Sequence, residues 1–261
     1  MFALISPEKI QLPPGSVVRL PASWEEYQRL CGQRGDGSIP RIKYHDGEVL
    51  LMSPLPVHGR DANLLADIVK TLLDHDGREY DAFTPVTMSL PEESGIEPDY
   101  CFYIDNWQAV SGKKRIDWRQ DPPPDLVIEI DVTSYSDVQD YLPYRVPEVW
   151  LFKKQQLLIY QLPGTDYQLQ THSCYFPEFD LQSAIAQCVQ ITYESNTSAA
   201  IRHLKQVLLP YMFTFRRSRK IAALCLALNN QQCPNSSTKL LSLTTKTQDV
   251  CPHWLKSWYY L

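Results

Sequence analysis

Three acidic residues occupy predicted β-strands, where a carboxylate needs a compensating partner. Glu48 opens Glu48-Val49-Leu50-Leu51-Met52, Asp99 directly follows Pro98, and Glu129 lies inside Asp125-Leu126-Val127-Ile128-Glu129-Ile130-Asp131. An ionised acid in an apolar strand is costly to desolvate unless something offsets its charge, and a cation does so most simply. On the third strand Asp125, Val127, Glu129 and Asp131 share one face, while Leu126, Ile128, Ile130 and Val132 share the other. Like charges aligned in this way destabilise a fold that gives them no counter-ion. Hard oxygen donors suit Mg2+ or Mn2+, which keep several waters and often bridge to a substrate phosphate. The same alternation also describes an acidic face turned to water on an antiparallel sheet, and Asp99 after a proline also suits a turn. The pattern of these strands leaves both readings open.

The elements that must position these acids are mostly legible. Ser23 to Cys31 predicts a short helix, with Ser23 as its cap, acids in its first turn, and Trp24, Tyr27, Leu30 and Cys31 on one face. Lys43 to Met52 contains Asp46-Gly47, a hairpin signal that leads into the Glu48 strand. From His58 to His75, Leu64, Leu65, Ile68, Val69, Leu72 and Leu73 recur at helical spacing, which predicts the clearest amphipathic helix of the chain. Thr84 to Leu90, Asp99 to Ile104 and Asp125 to Val132 predict strands, with a polar loop around Lys113, Lys114 and Arg115 between the last two. Ser134 to Tyr144 leaves room for a brief helix. Glu148 to Lys153, Leu157 to Leu162 and Tyr167 to Thr171 predict an antiparallel meander, and Phe179 to Cys188 and Thr197 to Leu208 predict helices. This order suits one α/β domain, a mixed sheet flanked by helices, over residues 1–208.

Charge divides the chain at the same place. The whole has 25 basic and 30 acidic residues and a net charge of −5, but residues 209–261 hold seven bases and one acid. The body is therefore strongly acidic and the tail (209–261) basic, glycine-free and set apart in composition. An acidic body argues against sequence-independent nucleic-acid binding through a broad basic surface, although not against carboxylates that hold a cation. Seven cysteines without a C-x-x-C pair indicate reduced thiols. No apolar run reaches membrane-helix length, and Pro13-Pro14 interrupts the place of a signal-peptide core, so a cytoplasmic protein with no membrane association is expected. A carboxylate-pair glycosidase has no support beyond the paired acids themselves.

Pro98-Asp99 followed some thirty residues later by Glu129-Ile130-Asp131 resembles the PD-(D/E)xK nuclease pattern. The surrounding pieces resemble a large bacterial branch of it, the Uma-type restriction endonuclease family. They are Tyr44-His45-Asp46-Gly47-Glu48, Met52-Ser53-Pro54 with His58, Glu97-Pro98-Asp99, Pro124-Asp125-Leu126-Val127-Ile128-Glu129-Ile130 with Ser134, and Val146-Pro147-Glu148-Val149-Trp150. The five come in the family's order over about residues 20–205. The resemblance implies a restriction-endonuclease-like fold and a hydrolase that uses Mg2+ or Mn2+ to cut DNA. Asp99, Glu129 and the Ile130 carbonyl would be metal ligands, and Glu48 and Asp131 further acids of the catalytic group. His58, Lys113, Lys114 and Arg115 are the candidate nucleic-acid contacts, and a homodimer would let two sites reach two strands. The chain departs from the pattern at Asp131, which stands where the acid-x-lysine triplet has its lysine, and Ser134 to Arg145 contains no lysine either. That departure raises a second expectation, a member that keeps the fold as a binding or assembly module without cleaving.

Overall fold

The computed structural model describes residues 12–35, 37, 39–131 and 137–209; Val132 at the end of its predicted strand, the start of the predicted Ser134 to Tyr144 helix and the tail beyond 209 lie outside them. The chain divides into two compact units, 1–201 and 202–261, and the described part of the second, 202–209, is helical. Everything below concerns the first unit.

Its framework is α/β, with two sheets flanked by helices. The first sheet has the order β1 (Val17–Pro21), β3 (Glu48–Met52), β2 (Arg41–His45), β6 (Ser94–Ile96), β5 (Met88–Leu90). All its pairings are antiparallel. The second runs β11 (Gln168–Gln170), β10 (Gln156–Gln161), β9 (Glu148–Lys153), β8 (Leu126–Asp131), β7 (Tyr100–Tyr103), β4 (Asp81–Phe83). Its β8–β9 pair is parallel and the rest antiparallel. The acid-bearing β8 is thus an interior strand, buried on both faces except for a partly exposed Glu129. An outward, solvated acidic face is excluded by that position.

The β2–β3 hairpin turns at Asp46 and Gly47, both at positive φ (49° and 76°). Such a two-residue turn matches the twist of the flanking strands. Helix α1 (Trp24–Arg34) starts in a reciprocal cap, in which Ser23 Oγ accepts from the Glu26 N–H and the Glu26 carboxylate accepts from the Ser23 N–H. Its Trp24 and Tyr27 pack with Tyr44 into a small aromatic core. A Cβ at Gly95 would overlap the Tyr27 ring, so glycine lets α1 lie directly on β6.

Helix α2 (Pro56–Asp76) opens with a proline in its first turn and closes on Gly77 in the left-handed region. Its Leu64, Leu65, Ile68, Val69, Leu72 and Leu73 are buried, and the helix packs on β8 and on α4 (Leu181–Glu194). Each such side chain contributes about 1.5–3 kcal/mol of burial, which anchors the back of β8 while its other face, with Val127, joins Met88, Ile96, Tyr141 and Val149.

Several expectations need correcting. The predicted strand over Thr84 to Leu90 is two short strands, β4 before it and β5 at its end, because Pro85 has no N–H for a ladder. Strand β6 has only three residues, too few for a period to show, and β1, exposed or half-buried along its length, was not anticipated either. Within Ser134 to Tyr144 the described helix is a single 3-10 turn, Val138–Tyr141, capped by Asp137. A further short helix, α3 (Trp107–Val110), follows β7.

Candidate active site

Strand register brings Asp99 and Glu129 together. Tyr100 pairs with Ile128, Cys101 with Val127 and Phe102 with Leu126; Asp99 immediately precedes β7, and continuing that register would set it beside Glu129, whose carboxyl feels its charge. The Ile130 N–H donates to Asp99 Oδ2 at 2.8 Å. On an extended strand the C=O of a residue points to the same edge as its N–H, so the Ile130 carbonyl is directed along this edge as well.

Asp99 is almost fully buried and heavily bonded. Arg41 Nη1 is 2.5 Å and His58 Nε2 2.7 Å from its Oδ1, and the Thr84 hydroxyl donates to its carbonyl at 2.8 Å. His58 comes from the first turn of α2 and Arg41 from the start of β2, so three elements meet at one carboxylate. Glu129 is held differently, its Oε1 accepting from the Tyr141 hydroxyl. Burial and the adjacent charge of Asp99 push its carboxyl up to about 8, against the opposing pull of Tyr141, Arg41 and Lys43. Burial and the Asp99 charge thus outweigh the pull of the two cations on Glu129.

Neighbouring polar contacts set the start of β2. Glu97 accepts from Arg34 Nη1 at 2.8 Å, from the Ile42 N–H at 3.1 Å and from the Thr87 hydroxyl at 3.0 Å. This clamp ties α1, β2 and the residues before β7, and so fixes where Arg41 emerges. Arg41 and Lys43 share the face of β2 opposite Ile42 and Tyr44, which are buried in the aromatic core. Lys43 is ion-paired with Asp140 of the 3-10 turn, the residue beside Tyr141.

The other sequence-predicted residues are elsewhere. Glu48 is about half exposed and 3.5 Å from Arg19. It pairs with His45 at the turn end of the hairpin, four residues and about 13 Å along the strand from Arg41. Substituting Glu48 with alanine is expected to change stability by less than about 1 kcal/mol, as an exposed ion pair would, and to leave cation uptake as in the parent. A urea melt and a Mn2+ titration check both.

Asp131 is buried against Lys153 Nζ at 2.7 Å, its in-register neighbour on parallel β9. Asp125 caps the backbone N–H groups of Ile104, Asp105 and Asn106 at 2.6–3.1 Å, a purely structural use. Lys113 is bonded to Asp121 at 2.5 Å, while Lys114 and Arg115 are exposed. An open depression of about 570 Å³ is lined by Lys113, Arg115, Trp118 and Arg119 among others and shares no residue with the acid pair. Arg41, Lys43, Asp140 and Tyr141 are the site residues that the sequence did not announce. The only available signal was the Arg41/Lys43 alternation on a strand, which does not show what the charged face looks at.

Among the described residues no three His, Cys, Asp or Glu side chains group as a metal site. The acid pair still fits a hard divalent cation on three counts. It offers two neighbouring carboxylates and a carbonyl directed to the same edge, Mg2+ commonly takes only one or two carboxylates and completes its shell with water, and burial together with the charge of Asp99 pushes the Glu129 carboxyl up to about 8, a cost that a bound cation would offset. Asp99 Oδ1 already has two cationic partners, so an ion here competes with Arg41.

A family model described as "Uma2: Putative restriction endonuclease" matches residues 24–192, well over half of the chain. Among solved structures, a putative nuclease belonging to DUF820 from Anabaena variabilis ATCC 29413 is 16% identical, with a TM-score of 0.43 over 59% of this chain and 87% of that one. No curated protein matches. No helix among the described residues is long and apolar enough to cross a membrane.

Proposed function

The chain belongs to the Uma2 family of putative restriction endonucleases, and from that membership we propose that its acid pair serves a divalent-cation-dependent endonuclease acting on DNA. The observation that carries the reading is the approach of Asp99, just before β7, to the Glu129–Ile130 end of β8, where it accepts from the Ile130 N–H, with the carbonyl of Ile130 directed to the same edge. Asp99, Glu129 and that carbonyl would hold Mg2+ or Mn2+. When bound, such an ion supplies a water of lowered pKa and neutralises charge on the phosphodiester.

The chain's own residues orient the reaction. His58 and the Ile130 N–H fix the rotamer of Asp99 from opposite sides, and Tyr141 fixes Glu129. The guanidinium of Arg41, one-fifth exposed, offers positive charge to a phosphate arriving at the pair. In the hydrolysis a water oxygen bonds to phosphorus as one ester P–O bond breaks. The water gives up a proton, and the departing oxygen leaves with one, so a diester and water become a monoester and a hydroxyl.

Supercoiled plasmid incubated with the full chain is expected to be nicked with Mg2+ or Mn2+ and to stay intact with EDTA. Chelator-insensitive nicking would contradict the reading. Absence of nicking with either ion would favour the non-cleaving binding module, a reading supported by Asp131 in the lysine position and by Arg41 already seated on Asp99.

A further inference from the structure

We propose that Arg41 is an exchangeable counter-ion of the acid pair: its guanidinium holds Asp99 while the pair is without a divalent cation, and moves to a DNA phosphate when the pair takes one. The inference rests on the endonuclease reading and makes the ion pair that closes the site the link between cation uptake and phosphate capture.

The acceptor side shows why one partner has to leave. A carboxylate oxygen has about two lone-pair positions. Asp99 Oδ1 uses both, on Arg41 Nη1 at 2.5 Å and His58 Nε2 at 2.7 Å, and Oδ2 accepts from the Ile130 N–H at 2.8 Å. A cation ligated by Oδ1 therefore needs the place of one of the two. The His58 side chain is 3% exposed in the first turn of α2, a helix packed on β8, whereas the longer Arg41 side chain is 20% exposed. Arg41 is the partner with room to move.

The balance of charge points the same way. Burial works against the Arg41 charge, and the acids Asp99, Glu129 and Glu97 outweigh it. One guanidinium thus serves both members of the pair, as a shared divalent cation would. Glu97 offers Arg41 no second seat, because Arg34, the Ile42 N–H and the Thr87 hydroxyl already occupy it. Among the described residues Asp99 is the only ion-pair partner of Arg41. With a divalent cation in place both carboxylates are balanced, and the Arg41 charge becomes surplus on the partly exposed side of the pair. A phosphodiester arriving there supplies the anion that a guanidinium fork fits.

Calorimetric titration with Mn2+ and with Ca2+ compares the parent, Arg41→Met and Arg41→Lys. Removing the competitor should tighten uptake by Arg41→Met about tenfold or more, within the usual range of coupling between linked sites, with Arg41→Lys in between. A short DNA duplex is then bound in EDTA and in saturating Ca2+ across a salt series, and checked afterwards to be uncut. In EDTA the slopes of log affinity against log salt should coincide for parent and Arg41→Met, because Asp99 holds Arg41. In Ca2+ the parent's slope should be the steeper by about one phosphate contact. If Arg41→Met fails to melt cooperatively, Arg41→Gln takes its place.

Unchanged or weaker cation uptake by Arg41→Met would overturn the exchange, since Arg41 would then support the site without competing for it. Slopes that differ equally in EDTA and in Ca2+ would also overturn it, because Arg41 would then reach phosphate without any cation. Slopes that coincide in both, or no duplex binding at all, would do the same. Tighter uptake and a Ca2+-dependent slope in a parent that does not nick plasmid would leave the exchange standing and remove cleavage alone. A parent that takes up neither ion would remove both.

Discussion

Glu129→Gln is expected to abolish nicking while making the protein more stable at alkaline pH. The folded carboxyl titrates near 8 against an ordinary value of 4.5, raised first by burial and then by the charge of Asp99. The folded state therefore binds this proton more tightly than the unfolded chain does. The stability contributed by neutral Glu129 is complete below about pH 4.5, is lost progressively as pH rises towards 8, and falls no further above that. Glutamine keeps the shape and the acceptor for the Tyr141 hydroxyl but has no charge to desolvate. Urea melts in EDTA should show variant and parent alike near pH 4, with the variant ahead by up to a few kcal/mol near pH 9, since each tenfold difference in proton affinity between folded and unfolded chain corresponds to about 1.4 kcal/mol. On the proposed endonuclease reading nicking should fall by at least about 10²-fold, because a ligand would be removed from the ion that would activate water. Parallel pH profiles for the two proteins would show that Glu129 is not strained by its neighbours. A stabilising substitution that removes activity is what a site kept at a cost to the fold predicts.

Asp99→Ala is expected to do the opposite to stability. Asp99 is the common acceptor for Arg41, His58 and the Ile130 N–H, and its own side chain is fully buried. Without it, a largely buried guanidinium faces no acid at 2.5 Å, and a backbone donor inside β8 loses its partner. Breaking a buried pair from one side costs about 3–5 kcal/mol; the one-fifth exposure of Arg41 and the relief of repulsion on Glu129 place the value toward the lower end. Asp99→Asn keeps a carbonyl oxygen for the donors and should lose about half as much. Denaturant midpoints measured at pH 7 check both. A loss below about 1 kcal/mol for the alanine variant would mean that Asp99 is not the anchor of this cluster. The two acids thus divide the work, Asp99 assembling three elements and Glu129 held where burial and its neighbour's charge oppose its ionisation.

What the residues disclosed in advance depends on how far each signal had to reach. Helix α2 shows because six buried aliphatic residues repeat with one period over several turns, and the β2–β3 hairpin shows because Asp46-Gly47 is suited to two positive φ angles. Strand β6 does not show, because Ser94-Gly95-Ile96 has no period and its glycine is required by the Tyr27 ring above it. The acids of β8 presented a real ambiguity. Alternation alone cannot separate a face turned to water from one turned to a second sheet, and only the central position of β8 decides between them. Local pattern read three of those acids as one group, whereas the structure gives each its own use: Asp125 caps a loop, Asp131 pairs along β9, and Glu129 faces Asp99. Glu48 misled for a geometric reason, since it sits at the turn end of a hairpin whose other end delivers Arg41. Arg41 and Lys43 were invisible because nothing in Arg41-Ile42-Lys43-Tyr44 tells a solvated strand face from one opposed to acids.

The sharing of one divalent ion by Asp99 and Glu129 is tested most directly by calorimetric titration of Mn2+ into the parent protein and Glu129→Gln. Saturable uptake of about one ion by the parent, lost in the variant, is the expected result. Heat of dilution alone in the parent, or equal uptake by both proteins, would contradict it.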